Sequence, residues 1–373
     1  MKGKVFYLCY YGGENRPKSL AAEYKIRYIC KSLNEIGYPV EVVSACSSIT
    51  GWWSNASTEN ILDKTVVKYF SSFGSEFAIK RILSRWWTKS MMFTYLLRKL
   101  KKQDNVIVYH SLGYMGMIRL LKRMIGFNLI LEFEEVYGDV FNNLKVAKKE
   151  IEFAHLANSY IFPTELLNIS VNDGNRPHSI IYGSYNTPTK TKAKFNDGRI
   201  HILYSGSFDS RKGGALMAVE TARFLPGNYH LHISGAGSQH DTEKVKSRIV
   251  IAAVESKCKI SFEGCLPEKE YTELLQTCHI GLNSFEPSAK FNETSFPSKL
   301  LAYLGNGLQV VSIRIPAIEQ SAISHVIHYY DEQTPEKIAE AIMKVDLTAS
   351  FDGRKLLKSL DAQFQNSVST LFK

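Results

Sequence analysis

Two glycine-rich stretches in the second half of the chain constrain its fold more than any other feature. HILYSGSFDSRKGG occupies 201–214, and FNETSFPSKLLAYLGNGLQVVS occupies 291–312. In the first, the apolar run Ile202, Leu203, Tyr204 opens into small residues, then Arg211, Lys212 and paired glycines, then a helix-like segment. In the second, a polar turn with a proline leads into a helix, a Gly-x-Gly break and a buried-strand run. Both are junctions where a strand ends and a helix begins. Such junctions aim free backbone N–H groups and the helix dipole at phosphate oxygens. Two of them in one chain suit a diphosphate gripped from two sides.

The rest of the apolar pattern alternates strand and helix, which points to α/β layers with parallel sheets. KVFYLCYYGGE at 4–14 reads as a strand entering a glycine turn, AAEYKIRYICKSLNEIG at 21–37 as an amphipathic helix, and YPVEVVSA at 38–45 as a returning strand. NVIVYHSLG (105–113), FNLILEFEE (127–135) and SYIFPT (159–164) are further strands. At 373 residues, 45% apolar and 12% aromatic, the chain exceeds one ordinary core and suits two domains. The polar, Thr/Lys-rich piece YNTPTKTKAKFNDGR at 185–199 has no apolar period and reads as the linker. The expected division is 1–188, 189–350 and a closing helix within 351–373.

Charge is unevenly placed. Residues 1–190 carry 25 Lys+Arg against 16 Asp+Glu, a net of +9, whereas 191–373 carry 21 against 20, a net of +1. The excess concentrates at 80–102, where Lys80, Arg81, Arg85, Lys89, Arg98, Lys99, Lys101 and Lys102 have no acidic neighbour. Ile79, Ile82, Leu83, Trp86, Phe93, Leu97 and Leu100 interleave at helical spacing. Two readings stand: a basic amphipathic helix over 77–102 that meets an anionic membrane surface, or a helix with one core face and one solvated face. No module for nucleic acid accompanies the basic half, so nucleic acid is not an expected partner.

The six cysteines (Cys9, Cys30, Cys46, Cys258, Cys265, Cys278) form no C-x-x-C pair. They read as buried free thiols of a reducing compartment. No charged-then-apolar leader opens the sequence and no stretch has a membrane span's apolar length, so a cytoplasmic protein is expected. No Asp-x-Asp pair or His/Cys cluster is evident, and no metal or cofactor is expected.

Three features of the first half read as ligand-facing or structural. Gly12 and Gly13 let backbone approach a ligand or form a tight turn, and Arg16 follows as an anion contact. His110 ends the strand VIVY, where α/β sheets place ligand-facing residues. Glu134 and Glu135 follow LILEF, and either orients an acceptor hydroxyl or caps the next element.

The order SGS-FDSRKGG, HISGAGS (232–238), ISFEGCLP (260–267), FPSKLLAYLGNGLQVVS resembles the donor half of family 4 retaining glycosyltransferases with the GT-B fold, over about 199–345. The resemblance implies two Rossmann-like parallel-sheet domains facing a central cleft, with the C-terminal helix crossing back to the first. It implies a UDP- or GDP-linked sugar as donor substrate, held without metal. It also implies a glycan or polyprenyl-linked acceptor in surface polysaccharide assembly, on the inner face of the cell membrane. The family's D-x-x-x-x-H pattern falls on Asn105 to His110, with Asn for Asp, and makes His110 a contact of the transferred sugar. Its two diphosphate cations fall on Ser207 and Lys212, with Arg211 beside them. Gly206 and Gly235 border the same phosphates, and Lys299 at a helix start is either a second cation there or a solvated first-turn lysine. Its E-x(7)-E pair falls on Thr294 and Ala302, so Glu293 becomes the sugar contact, with Glu286 behind it. Backbone of Thr294, Ser295 and Phe296 would touch sugar and phosphate, and Gly264 and Cys265 the base. The same fold also accommodates a sugar-nucleotide epimerase or a non-catalytic sugar-nucleotide-binding protein.

Overall fold

The computed structural model describes residues 2–13, 16–17, 20–49, 51–74, 78–209, 213–286, 295–349 and 352–372. Contacts divide the chain into unit 1, Met1–Ser184 with Ala362–Lys373, and unit 2, Tyr185–Asp361.

Unit 1 contains strands β1 (Val5–Cys9), β2 (Val40–Ser44), β3 (Trp53–Ser54), β4 (Ser57–Leu62), β5 (Thr65–Tyr69), β6 (Ser72–Phe73), β7 (Asn105–Tyr109), β8 (Asn128–Glu132), β9 (Ser159–Phe162) and β10 (His178–Ile180). Its helices are α1 (Leu20–Glu35), α2 (Ala78–Lys99), α3 (Met115–Ile125), α4 (Tyr137–Val140), α5 (Leu144–Ala154) and α6 (Glu165–Val171). The main sheet runs β10-β9-β8-β7-β1-β2-β5-β4, parallel except at its β4–β5 edge. β1, β2 and β8 are buried at every position. That follows from near-continuous apolar runs covered by helices on both faces. Leu8, Val106, Val108, Leu129, Leu131 and Phe133 carry one face into the core, against Ile118 and Leu121 of α3 and Phe153 of α5. Gly126 closes α3 in the left-handed conformation, its N–H returning to Lys122 O, the αL cap that glycine adopts most cheaply.

The β3–β6 excursion at 53–73 is not foreshadowed by apolar runs. Only β5 shows the alternating burial of a half-covered strand. Its partner β4 carries Glu59 and Asn60 and is largely exposed, so backbone pairing to β5, rather than side-chain burial, makes it a strand.

Unit 2 contains β11 (Ile200–Ser207), β12 (Tyr229–Ala236), β13 (Lys259–Gly264), β14 (Ile280–Asn283), β15 (Gln309–Ile313) and β16 (Ile327–Tyr330). Around them lie α7 (Gly214–Thr221), α8 (Gln239–Glu255), α9 (Glu268–Thr277), α10 (Lys299–Gly305), α11 (Pro316–Glu319), α12 (Pro335–Met343) and α13 (Gly353–Ser369). The sheet runs β13-β12-β11-β14-β15-β16, parallel throughout. The stretch before β11 forms no helix or strand, yet it is fastened to unit 2. Lys192 N donates to Gln276, Phe195 N to Thr277 O, and Lys194 Nζ to Cys278 O. Burial lowers the Lys194 ammonium to about 8.

The start of α13 belongs to unit 2, where Arg354 Nε donates to Gly305 O. Its end belongs to unit 1: Phe364 meets Tyr28, Ser367 bonds Ser179, and Leu371 O accepts from Asn128.

α2 turns an unusual face to solvent. Its buried positions are Ser84, Thr88, Met92 and Leu96, at steps of four. Ile79, Ile82, Leu83 and Trp86 are exposed, Trp86 by 71%. Of the apolar positions expected to interleave with the basic ones, Leu100 alone is fully buried. The first half of α2 is therefore apolar on the outside and polar on the inside.

Candidate functional site

The C-terminal end of the unit 2 sheet is shaped by glycines. β11 and β12 pair with Gly206 opposite Gly235, and a Cβ on Gly235 would lie 1.8 Å from Gly206 O. At φ +149° this position also disfavours any side chain. The next junction is as tight. Gly213 at φ +63° leads into α7, a Cβ on Gly214 would lie 2.1 Å from Ser284 O, and Ser284 Oγ donates to Gly214 O at 2.9 Å. Main chain thus meets main chain directly, β11 against β12 and the start of α7 against the loop after β14, with Tyr204 and Phe208 alongside. α10 begins beside them. Lys299 Nζ stands 4.6 Å above the Tyr204 ring and 3.8 Å from where a Gly206 Cβ would sit. The α10 helix is anchored from beneath by Tyr303, whose hydroxyl accepts from Ser205 N at 2.9 Å.

Gly206, Ser207, Gly235 and Lys299 are therefore brought together. Ser207 is exposed and holds Asp209 N through its hydroxyl at 3.1 Å. Ser295 and Phe296 are half-buried and lead into α10, and Glu286 is exposed. Arg211, Lys212, Glu293 and Thr294 lie outside the described residues. Ala302, where the resemblance expects a glutamate, is half-buried within α10.

Gly264 ends β13 at φ +65° and accepts from Ser234 Oγ at 3.0 Å. Cys265 follows it and is exposed, whereas the other five thiols are buried. The expectation of six buried thiols is corrected at this position, because the left-handed turn at Gly264 carries the next residue off the sheet.

In unit 1, Gly12 and Gly13 follow β1 as expected, and Tyr69 accounts for both. Its hydroxyl donates to Gly12 O at 2.7 Å, and a Cβ on Gly13 would meet that oxygen at 2.7 Å. Arg16 is buried and donates to the carbonyls of Cys46 and Phe70, its guanidinium 4.7 Å from the Tyr69 ring centre. Burial lowers its pKa. Arg16 also borders a cavity of ≈ 650 Å³ lined by Ser48, Trp53, Asn55, Glu59 and Tyr69 among others.

His110 follows β7 and is fully buried. Its ring stacks on Phe133 at 4.2 Å, and Nε2 donates to Glu150 Oε1 at 2.7 Å. Glu150, also fully buried, further accepts from Tyr137 N and Gly138 N at the start of α4. This partner went unnoticed in the sequence; its place in the polar face of the KKEIEF segment gives no signal. The carboxylate holds the proton on Nε2 and leaves Nδ1, which has no hydrogen-bond partner among the described residues. Asn105 begins the same strand and pairs with Asn128.

A second buried carboxylate, Glu132, accepts from the Tyr7 hydroxyl and lies 3.9 Å from Lys25 Nζ, which also binds Glu134. Burial first, then the neighbouring Glu134, raises Glu132 from 4.5 to about 8, against the opposing pull of Lys25. Glu134 is therefore already paired, and Glu135 beside it is half-buried.

The expectation that no His/Cys cluster exists is also corrected. His201, His230 and His232 bring ligand nitrogens within 4.8 Å of one another, all three buried. His201 opens β11 opposite His230 of β12, and His232 stands two residues further along the same face. The signal in the sequence was the alternate pair His230/His232, since residues two apart on a strand share a face. Burial lowers His230 to about 3 and His232 to about 4, so both are neutral at pH 7.

No family model matches this sequence, and no curated protein sequence does either. Solved structures do match in fold along the whole chain. The E. coli trehalose-6-phosphate protein bound with UDP-2-fluoro glucose is similar at TM-score 0.67 and 9% identity, over 99% of this chain and 98% of that one. The α,α-trehalose 6-phosphate synthase of Burkholderia multivorans is similar at TM-score 0.66 and 8% identity, over 100% and 96%. The sucrose-phosphate synthase of Thermosynechococcus elongatus gives TM-score 0.65 and 12% identity, over 100% and 95%. The chain has the GT-B fold. At these identities the likeness speaks for architecture alone.

Proposed function

We propose that the chain is a retaining glycosyltransferase. It moves a hexose-type sugar from a UDP- or GDP-linked donor to a glycan or polyprenyl-linked acceptor, in the assembly of a surface polysaccharide. The observation that carries this reading is the direct main-chain contact of β11 with β12 and of the α7 start with the loop after β14, with Lys299 beside it. Backbone packed so closely leaves N–H groups and a helix start as the natural diphosphate ligands. Lys212, with Arg211 and Lys299, then compensates the charge that grows on the departing diphosphate. Its oxygen takes the acceptor proton on the same face of the sugar. Glu293, or Glu286 behind it, contacts the donor sugar; the resemblance gives His110 a sugar contact as well, for which Nδ1 is the nitrogen left without a partner among the described residues while Glu150 holds the ring. The cavity beside Arg16 receives the acceptor, with Trp53 offering a ring face and Glu59 a carboxylate to sugar hydroxyls.

The outward apolar face of α2 supports a membrane-borne acceptor. Trp87 of that helix lies 6.2 Å from Trp53, and Lys80 stands 4.3 Å over Trp52. Tryptophan and lysine together suit the headgroup layer. Among the described residues no helix is long and apolar enough to cross a membrane. One observation favours a non-catalytic binding protein instead: Ala302 lacks the carboxylate that the resembling enzymes carry there.

A thermal-shift panel of nucleotides and sugar nucleotides tests the donor. A true donor at about 100 times its Kd stabilises by about 2.7 kcal/mol; no shift with any of them overturns the reading. Sedimentation with vesicles tests the surface. Anionic vesicles should retain the protein and neutral ones should not. Arg81→Gln, Arg85→Gln, Lys89→Gln and Lys99→Gln together should release it, as each basic residue near the surface contributes about 1 kcal/mol at low salt. Equal retention by neutral vesicles would remove the electrostatic part of the assignment.

A further inference from the structure

The three imidazoles at the N-terminal end of the unit 2 sheet share an arrangement that hydrogen bonding within the protein leaves incomplete. Each has one nitrogen turned to an outer partner. His201 Nε2 donates to Asp197 Oδ1 at 2.9 Å, His232 Nδ1 donates to Glu263 Oε1 at 2.7 Å, and His230 Nε2 bonds Ser261 Oγ at 2.7 Å. An ionised carboxylate only accepts, so His201 Nε2 and His232 Nδ1 each carry a proton on the outer side. Their inner nitrogens, His201 Nδ1 and His232 Nε2, face each other at 2.9 Å, an approach that needs a shared proton or a metal ion between them. The remaining nitrogen, His230 Nδ1, is buried and has no hydrogen-bond partner among the described residues.

Two lone pairs at that separation repel unless a positive centre lies between them. A proton shared by His201 and His232 would relieve that pair. It would still leave His230 Nδ1 unsatisfied, in either tautomer, at the ordinary penalty of a buried orphan. A metal ion answers all three nitrogens at once. We propose that His201 Nδ1, His230 Nδ1 and His232 Nε2 bind one divalent transition metal, zinc in the first instance, with water completing a tetrahedron. Imidazole is a preferred ligand of zinc. Zinc–nitrogen bonds of about 2.0–2.1 Å set tetrahedral ligand atoms about 3.3 Å apart, so the His201–His232 pair need open by only a few tenths of an ångström.

The outer partners supply what a buried zinc site needs. Asp197 and Glu263 hold two imidazoles by their far nitrogens, fixing tautomer and ring orientation, and their two charges balance the ion. Phe195 closes one side, stacked on His201 at 4.0 Å. Between His201 and Ser207 the strand spans about 20 Å at its ordinary rise. The metal therefore lies at the opposite end of β11 from the glycine-shaped end and serves stability. It pins β11, β12 and, through Asp197, the segment that leads into them.

The test uses the full-length chain without a histidine tag, stripped by chelator and titrated with zinc against a chromophoric competitor. One tightly bound equivalent is expected, with a higher melting temperature. Cobalt should replace zinc with the intense visible bands of a tetrahedral site. His230→Gln should abolish that spectrum. Asp197→Asn keeps all three ligands and should weaken zinc about 10–100-fold, which guards against a His230 variant that merely misfolds. No stoichiometric zinc, an octahedral cobalt spectrum, or zinc held equally by both variants would overturn the site. So would a His201–His232 shared proton seen by nitrogen NMR in the presence of zinc.

Discussion

The C-terminal ends of the two sheets follow opposite plans. In unit 2 that end is main chain meeting main chain, at Gly206 with Gly235 and Gly214 with Ser284. In unit 1 it is a set of buried titratable side chains: Glu132 with Tyr7 and Lys25, and His110 with Glu150. Main chain offers N–H donors whose positions do not depend on rotamers or on pH, which suits a permanent anion. Buried carboxylates and an imidazole hold one another in place and change with protonation, which suits neutral hydroxyls that must be oriented. The same kind of parallel sheet thus presents close-packed main chain in one unit and a titratable network in the other.

The comparison breaks most sharply if a side chain is forced into unit 2. Gly214→Val places a Cβ where Ser284 O already stands, and overpacking of this kind typically costs about 1–3 kcal/mol. The fold should survive by circular dichroism. The donor-dependent thermal shift should vanish and transfer should fall at least about 100-fold, the scale of losing one preorganised donor to a developing anion. Wild-type donor binding in this variant would mean that the close backbone approach serves packing alone.

In unit 1 the distinguishing property is sensitivity to pH. The folded-state pKa of Glu132, about 8, lies above its ordinary 4.5 because of burial first and Glu134 second. Between those values the unfolded chain has released this proton and the folded chain keeps it. Folding stability must then fall as pH rises across that interval, and level off above it. The slope is bounded by about 1.4 kcal/mol per pH unit. Glu132→Gln should remove this component, so that wild type and variant diverge in urea-unfolding free energy from about pH 4.5 to about 8 and run parallel outside it. Curves that stay parallel throughout would mean that Lys25 keeps Glu132 ionised.

How much of this could be read in the sequence follows from the same contrast. The unit 2 end was legible as strand–helix junctions, because glycines there admit the close backbone approach that the fold requires. The strands β1, β7, β8 and β9 were legible as apolar runs. Their helix-covered burial leaves no polar alternation to confuse the reading. Glu150 was not legible, because a glutamate among lysines on α5 looks solvated until the fold brings His110, 40 residues away, to it. The histidine cluster was half legible. His230 and His232 share a strand face, but His201 joins them only through the β11–β12 register. α2 was legible only as a helix open to two readings, a membrane-facing one or one with a core face: its buried stripe is Ser84 and Thr88 in the first half and Met92 and Leu96 in the second, a mixed pattern that its apolar positions do not signal.

The smallest expected effect tests whether the unit 1 network acts through position. Glu150 is fully buried, and its oxygens take His110 Nε2, Tyr137 N and Gly138 N. Glu150→Gln keeps the shape and one acceptor oxygen but turns the other into a donor, opposite groups that are themselves donors. Hydrogen bonds to a charged group contribute about 1.5–3 kcal/mol each, and partial replacement should lose about 1–3 kcal/mol in urea unfolding. Because the substitution lies in unit 1, the donor-dependent thermal shift should be unchanged. The His110 ring would lose the acceptor that fixes its tautomer, so the rate of transfer should fall while donor affinity holds, and Glu150→Asp should recover part of the rate. A stability loss with no change in rate would leave the pair as a structural clamp for α4. A loss of donor affinity would instead show that the two sheet ends are not independent, and the contrast between them would have to be redrawn.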